Sequence, residues 1–272
     1  MLYNGLGCDD MKLTVLASGS GGNATLLEIK DKRILIDAGI SYRQLVSRLS
    51  LKGKEIPSLD YVFLTHEHTD HIVGLLTIQN RLHPQIYLTE GTFKNLPLRI
   101  KDNLDKTKIA FIDYNNPLLL DGFSVGAFMS YHDALEPCGY RFTEGGKSLV
   151  YLTDTGYFPH QGFPHILNAD AYMIESNHEP ELLLDSDRPW LLKKRILDDQ
   201  GHLSNEDSAF LMTNIIGERT KTIILAHLSE ECNTIEAAKE TYSKVFAKQG
   251  IAIDKFTMVY ALQDEPLDEI DI

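Results

Sequence analysis

The stretch Leu64-Thr65-His66-Glu67-His68-Thr69-Asp70-His71 places three imidazoles and an aspartate within six residues, His66 to His71. Just before it, Tyr61-Val62-Phe63-Leu64-Thr65 is aromatic and β-branched enough for a buried strand, and just after it the segment Ile72 to Ile78 repeats apolar side chains at helical spacing. The cluster therefore lies on a strand-to-helix loop. Extended backbone points His66 and His68 the same way, while Asp70 and His71 turn with the chain toward a neighbouring position. Imidazole and carboxylate are ligands for zinc-like ions, so the spacing reads as two metal sites side by side. In a solvated loop, three histidines this close would repel one another on protonation and gain nothing from packing.

Composition sets the frame for this loop. With 272 residues and 43% hydrophobic side chains the chain can bury a substantial core. We expect one domain over residues 11–272, preceded by a disordered extension at 1–10, since Met11-Lys12-Leu13-Thr14-Val15-Leu16 begins abruptly as a strand. No apolar run approaches the roughly 20 residues of a membrane span and no signal peptide is visible, so a cytoplasmic protein without membrane contact is expected. Cys8, Cys138 and Cys232 are far apart and unpaired by motif, and are read as reduced bystanders. A formal net charge of −13 argues against a broadly basic nucleic-acid surface.

Along the chain, Ser18-Gly19-Ser20-Gly21-Gly22-Asn23 reads as a tight turn between strands, since it leads into the strand-like Ala24 to Ile29 and not into a helix. Arg33 to Ile36 is a strand ending at Asp37, followed by a helical stripe of Tyr42, Leu45, Val46 and Leu49. Strands are expected at Gly122–Met129, at Cys138–Phe142 and Ser148–Thr153 as a hairpin, at Ala171–Glu175 and at Thr222–Ala226. Helices are expected over Arg188–Asp198, Ser204–Ile216 and Thr234–Gln249, an edge strand at Phe256–Ala261, and a mobile acidic end. Arg188, Lys193, Lys194 and Arg195 around Trp190 form the one dense basic stretch: a solvated helix face with Trp190 in the core, or a track for a phosphate backbone with the indole stacking on a base. His83, His160 and His165 lack any such context and are read as surface residues.

His-x-His-x-Asp-His after a strand resembles the signature of the metallo-β-lactamase fold. The resemblance implies an α/β architecture, an αβ/βα sandwich of two mixed β-sheets flanked by helices, with metals at the strand ends. It implies two divalent ions, zinc or manganese with iron as a further option: His66, His68 and His132 for one, Asp70, His71 and His227 for the other, and Asp154 shared. Asp37 would accept hydrogen bonds behind the histidine loop.

The Ser-Gly-Ser-Gly-Gly-Asn turn, Asp154-Thr155-Gly156, Glu175-Ser176-Asn177-His178 and Gly201-His202-Leu203-Ser204 are together similar to the WalJ/YycJ-type family, over nearly the whole chain from Met11. Only a hairpin fits between His132 and Asp154, which leaves no room for the long arm of transfer-RNA processing enzymes. This resemblance implies a metal-dependent phosphodiesterase or exonuclease-like nuclease acting on DNA or RNA through a metal-bridging hydroxide, as a monomer or a homodimer. Asp70 would also orient or deprotonate the attacking water, and His202 would stabilise the transition state or protonate the leaving oxygen. Glu175 and His178 would support the ligands from behind, and Arg188, Lys194 and Arg195 would contact substrate. Alternatives are a small-molecule cyclic phosphodiesterase, which needs no basic track, and an acyl or thioester hydrolase of the lactamase or glyoxalase type, which needs no His202.

Overall fold

Apolar side chains alternate or run continuously through a series of short β-rich segments, and in the computed structural model these segments pair into two sheets. The structure describes residues 11–56 and 58–272, so the extension expected at 1–10 lies outside the described residues. In chain order the first sheet takes β1 (Met11–Ala17), β2 (Ala24–Ile29), β3 (Lys32–Ile36), β4 (Tyr61–Phe63), β5 (Gln85–Leu88) and β6 (Ile109–Phe111). Helices α1 (Tyr42–Leu51), α2 (Thr69–Ile72), α3 (Leu75–Leu82), α4 (Glu90–Asn95) and α5 (Leu98–Lys101) connect its later strands. The second sheet takes β7 (Leu118–Leu120), β8 (Phe123–Met129), β9 (Cys138–Glu144), β10 (Lys147–Leu152), β11 (Ala171–Glu175), β12 (Thr222–Ala226) and β13 (Thr257–Tyr260). Its helices are α6 (Phe163–Ile166), α7 (Pro180–Asp185), α8 (Trp190–Ile196), α9 (Asn205–Ile215) and α10 (Ile235–Lys248), and a last strand, β14 (Ile270–Asp271), returns to the first sheet.

Each sheet has seven strands, in the orders β14-β1-β2-β3-β4-β5-β6 and β13-β12-β11-β10-β9-β8-β7. Both are mixed in the same way. An antiparallel meander, β1-β2-β3 in one and β7-β8-β9-β10 in the other, passes into parallel strands β3 to β6 and β10 to β13. Between the sheets lies an apolar layer in which Leu13, Ile36 and Phe63 of the first meet Tyr140, Phe142, Tyr151 and Met173 of the second. Helices α1 and α3 cover the outer face of the first sheet through Leu45, Leu49, Leu75 and Ile78, and α9 and α10 cover the second through Met212, Ile215, Tyr242 and Phe246. The α/β sandwich of two mixed sheets expected from the sequence is the architecture found. Parallel strands covered by helices on one face converge their carboxyl ends on one edge, the usual place for a site in such sheets.

Two expectations change at this level. On α1 the inward side chains are Leu45, Leu49 and Arg48, while Val46 is exposed, because Arg48 has a polar target inside. Its Nη1 donates to Leu16 O at 2.9 Å and Gln263 O at 2.7 Å, and its Nη2 to Asp264 at 2.6 Å. The acidic end, expected to be mobile, is instead tied down. Ile270 and Asp271 pair with Leu13 and Lys12 on β1, Leu267 N donates to Val15 O at 2.8 Å, and Lys52 and Lys54 pair with Asp268 and Glu269. The carboxylates of this acidic end meet lysines at the carboxyl end of α1 and in the loop after it. Arg48→Ala leaves two carbonyls and a carboxylate without their donor, and is expected to destabilise the fold by about 3 kcal/mol in urea unfolding.

Candidate metal centre

The histidine loop leaves β4 as a short extended segment, and α2 begins only at Thr69, so the two halves of the motif face different directions. His66 and His68 meet His132, which follows β8: the three rings lie 4.6 to 5.0 Å apart between centroids. Asp70 and His71 meet Asp154, which follows β10, and His227, which follows β12. His71 Nε2 lies 3.3 Å from Asp154 Oδ2 and 3.5 Å from Asp70 Oδ2, and His227 Nε2 lies 3.5 Å from Asp154 Oδ1. Asp154 also approaches the first group, with Oδ1 at 3.9 Å from His132 Nε2. The seven residues singled out in the sequence thus come together as two adjoining clusters, with Asp154 between them.

The backbone makes unusual turns to deliver these groups. Asp37 and His227, each directly after a strand, and Asp154, two residues beyond β10, hold φ values of 59°, 56° and 55°. Left-handed backbone is costly for side chains other than glycine and recurs where function requires it. Between them the chain passes so closely that a Cβ on Gly39 would lie 1.6 Å from Asp70 O. Only glycine permits that approach.

Behind the clusters, the Nδ1 atoms are occupied. A carboxylate only accepts, so His71 donates Nδ1–H to Asp37 at 2.8 Å, and His202 donates Nδ1–H to Glu175 at 2.7 Å. His132 Nδ1 donates to Gly201 O at 3.0 Å, and His227 Nδ1 lies 3.1 Å from Glu175. Thr65 Oγ1 sits 3.0 Å from His66 Nδ1 and from Asp37, whose Oδ1 also accepts from Thr65 N at 2.9 Å. This is how metal-ligating histidines are oriented, with Nε2 turned into the cluster.

Three of the inward atoms, His66 Nε2, His227 Nε2 and Asp154 Oδ2, are buried with no hydrogen-bond partner. Buried polar atoms are rarely left so, and here nitrogen and oxygen donors converge without a thiolate. Charge points the same way. Burial pushes the pKa of His66 well below its ordinary value, with His71 adding to the effect, and burial also lowers His132, as suits neutral imidazole ligands. Burial opposes a charge on His71, yet Asp37, Asp154 and Asp70 hold its pKa well above normal, and Asp154 with Asp70 and Glu175 raises His227 to about 10 against the same burial. The carboxylates therefore outweigh the fixed positive charge around them. A divalent cation fits both the donor set and the electrostatic surplus.

The family findings agree with this geometry. The family described as "Beta-lactamase superfamily domain" matches residues 32–227. "Exodeoxyribonuclease WalJ" of Streptococcus pneumoniae serotype 2 is 36% identical over 263 residues, covering 95% of this chain and 98% of that protein. The chain belongs to the WalJ/YycJ-type family of beta-lactamase-fold proteins. "Exodeoxyribonuclease YycJ" of Bacillus anthracis is 34% identical over 243 residues, 89% of this chain and 92% of that one. Among solved structures, the metallo-beta-lactamase fold protein YhfI from Bacillus subtilis shares the fold with a TM-score of 0.71 at 20% identity, covering 96% of this chain and all of that one. The WalJ/YycJ-type chain described here is a metal-dependent hydrolase.

Other members of the expected site fall less evenly. His202 lies at the edge of the clusters, its ring centroid 5.1 Å from His132 and 5.2 Å from His227. Its place depends on Gly201, where a Cβ would meet Arg195 O and Ile196 O at 2.3 Å. Glu175 is fully buried beneath His202 and His227, and these two histidines hold its pKa down at about 2 against its burial. His178 is buried too, and burial lowers its pKa to about 4, but neither ring nitrogen has a hydrogen-bond partner. The expectation that its ring supports the ligands is met by no hydrogen bond; its carbonyl instead accepts from Asn205 N at 2.9 Å, at the start of α9. His83, His160 and His165 are exposed, as expected.

The basic stretch divides. Arg188 and Arg195 line a cavity of about 900 Å³ that also holds His202 and His227. Lys193 turns inward onto Leu184 O and Ser186 O, at 2.6 Å each. Lys194 lies off that cavity, beside Leu191 and Asp198. Trp190 is 65% exposed, so it is not a core residue.

Several contributors escaped the sequence reading. Ser18 Oγ accepts from His227 N at 2.8 Å, and Asn23 Nδ2 lies 3.0 Å from His71 Nε2, so the glycine-rich turn braces both ends of one ligand cluster. Glu67, within the histidine motif, accepts from Asn95 Nδ2 at 2.7 Å and Leu135 N at 2.9 Å, linking the histidine loop to the loop after His132. Asp133 follows His132 and binds Arg195 at 2.6 and 3.0 Å. Adjacency to a ligand was the available signal for Glu67 and Asp133. Asp37→Asn keeps the shape and tolerates the positive φ but cannot accept equally from both Thr65 and His71; metal titration is expected to show affinity reduced about 10- to 100-fold with folding retained.

Proposed function

We propose that this protein is a dinuclear metal-dependent nuclease that removes nucleotides from an end of DNA, with residues 11–272 forming its catalytic unit. The observation that carries the reading is His202, held by Glu175 at the margin of the ligand clusters and facing the same cavity as His227. An acyl hydrolase has no use for that imidazole, whereas phosphodiester cleavage leaves an oxygen that must be protonated or stabilised. Support comes from two relatives, each named an exodeoxyribonuclease and each matched over most of its length.

In this reading His66, His68 and His132 would hold one divalent ion, Asp70, His71 and His227 would hold the second, and Asp154 would serve both. The N/O donor set suits zinc or manganese, with iron also accommodated. Such ions would polarise a phosphodiester and make water nucleophilic near neutral pH. The chain's own groups supply the rest. Asp70 orients the attacking water through its carboxylate, which is 24% exposed while its neighbours are buried. His202, with Nδ1–H fixed on Glu175, presents Nε2 to the leaving oxygen. Asp37 and Glu175 hold the imidazoles, and Arg195, forked onto Asp133, offers its remaining donors to the phosphate. The buried free thiols of Cys138 and Cys232 suit a cytoplasmic enzyme.

The test is cleavage of end-labelled single-stranded DNA and RNA, with either end blocked, by zinc- and manganese-reconstituted protein. Stepwise shortening of DNA from one end, lost in Asp70→Ala, is the expected outcome. His202→Ala is expected to lower kcat by about 10²- to 10⁴-fold with bound metal unchanged. Hydrolysis of a small cyclic phosphodiester with neither polymer cleaved would overturn the nuclease reading.

A further inference from the structure

The cavity beside His202 and His227 is walled by two arginines, and each is paired with a carboxylate. Arg195 grips Asp133 with two nitrogens, and Asp133 is itself held in place beside the ligands, its Oδ1 3.3 Å from His132 Nε2 and 3.8 Å from His68 Nε2. Arg188 makes a different pair. Its Nε donates to Glu231 Oε2 at 2.8 Å across the cavity, from the loop that follows β12. Here the arginine side chain is enclosed, 22% exposed, while its partner is 67% exposed. A carboxylate so far into solvent contributes little and leaves easily.

A guanidinium set in a cavity wall and covered by a weakly held anion is a place where another anion belongs. Phosphate oxygens match the planar fork as well as a carboxylate does. On a chain of net charge −13, an incoming polyanion depends on such local cations. The space is also large: about 900 Å³ lies toward the upper end of the roughly 300–1,000 Å³ range of ligand sites.

We propose that Arg188 is a second phosphate-binding residue, taking the phosphate next along the strand from the one being cleaved, and that Glu231 occupies it until substrate arrives. The inference rests on the phosphodiesterase reading above. It assigns the cavity to substrates with at least two phosphates and gives Glu231 the part of an internal stand-in for one of them. Displacement makes and breaks no covalent bond; the guanidinium exchanges a carboxylate oxygen for a phosphate oxygen, and Glu231 returns to water.

The experiment is steady-state kinetics of the metal-loaded protein on a short single-stranded DNA and on bis(p-nitrophenyl) phosphate, which has a single phosphate. Glu231→Gln weakens the competing anion while keeping its size. It is expected to lower KM for the oligonucleotide several-fold and to leave the small diester and the bound metal unchanged. Arg188→Ala is expected to raise the oligonucleotide KM about tenfold, to flatten its logarithmic salt dependence by about 0.7, the loss of one single-strand phosphate contact, and to cancel the gain from Glu231→Gln in the double variant. An unchanged or raised KM in Glu231→Gln, or a salt slope in Arg188→Ala equal to wild type, overturns the proposal while the phosphodiesterase reading stands. Wild-type protein that binds metal and hydrolyses neither substrate overturns both.

Discussion

The carboxylate of Asp37 is the fixed point of this protein. It is fully buried, and it accepts from the backbone and hydroxyl of Thr65 and from the imidazole of His71. One side chain thereby ties the end of β3 to the loop after β4 and to α2. Burial drives its pKa up, and the bonds from His71 and Thr65 oppose that rise. Without these partners the group would be a costly isolated charge in an apolar sandwich. With them, it sets the direction of the histidine loop, and the strand ends carrying Asp154 and His227 complete what that loop begins.

The reading of the sequence was strongest where local chemistry dictates geometry. A run of histidines and an aspartate between a β-branched strand and a helix announces its position in any fold, and Asp154 and His227 could be placed because each ends a strongly apolar strand. Gly201-His202-Leu203-Ser204 was legible for the same reason: a glycine that lets the chain pass and a serine that caps α9, accepting from Asp207 N, flank His202 and Leu203 and fix their place. What was not legible depends on meetings between distant segments. Nothing near Arg48 in the chain indicates that it serves Gln263 and Asp264, and nothing near Asp268 and Glu269 indicates that lysines on another element await them. The acidic end reads as mobile in sequence, whereas its carboxylates pair with Lys52 and Lys54 and its last strand pairs with β1. For Trp190 the sequence left a place in the core open beside an outward-facing indole, and α8 turns it outward.

Charge is organised on two scales. Over the whole chain negative groups prevail. At the strand ends the excess is concentrated: against their burial, Asp37, Asp154 and Asp70 raise the pKa of His71, and Asp154 with Asp70 and Glu175 raises that of His227, an environment that suits a divalent cation. Around the rim, α8 and the segment before it bring Arg188 and Arg195 to the cavity wall, each held there by a carboxylate, Glu231 for one and Asp133 for the other. On a chain of net charge −13, an incoming polyanion depends on local cations of this kind.

The contact between Gln263 and the glycine-rich turn also separates the donors from their support. Gln263 accepts from Gly21 N and donates to Gly22 O, so it grips the turn whose Ser18 and Asn23 touch His227 and His71. Every ligand, through His227, precedes in the chain the residue that holds their supporting turn. Damage confined to Gln263 would leave the whole donor set in place and slacken the turn that braces it.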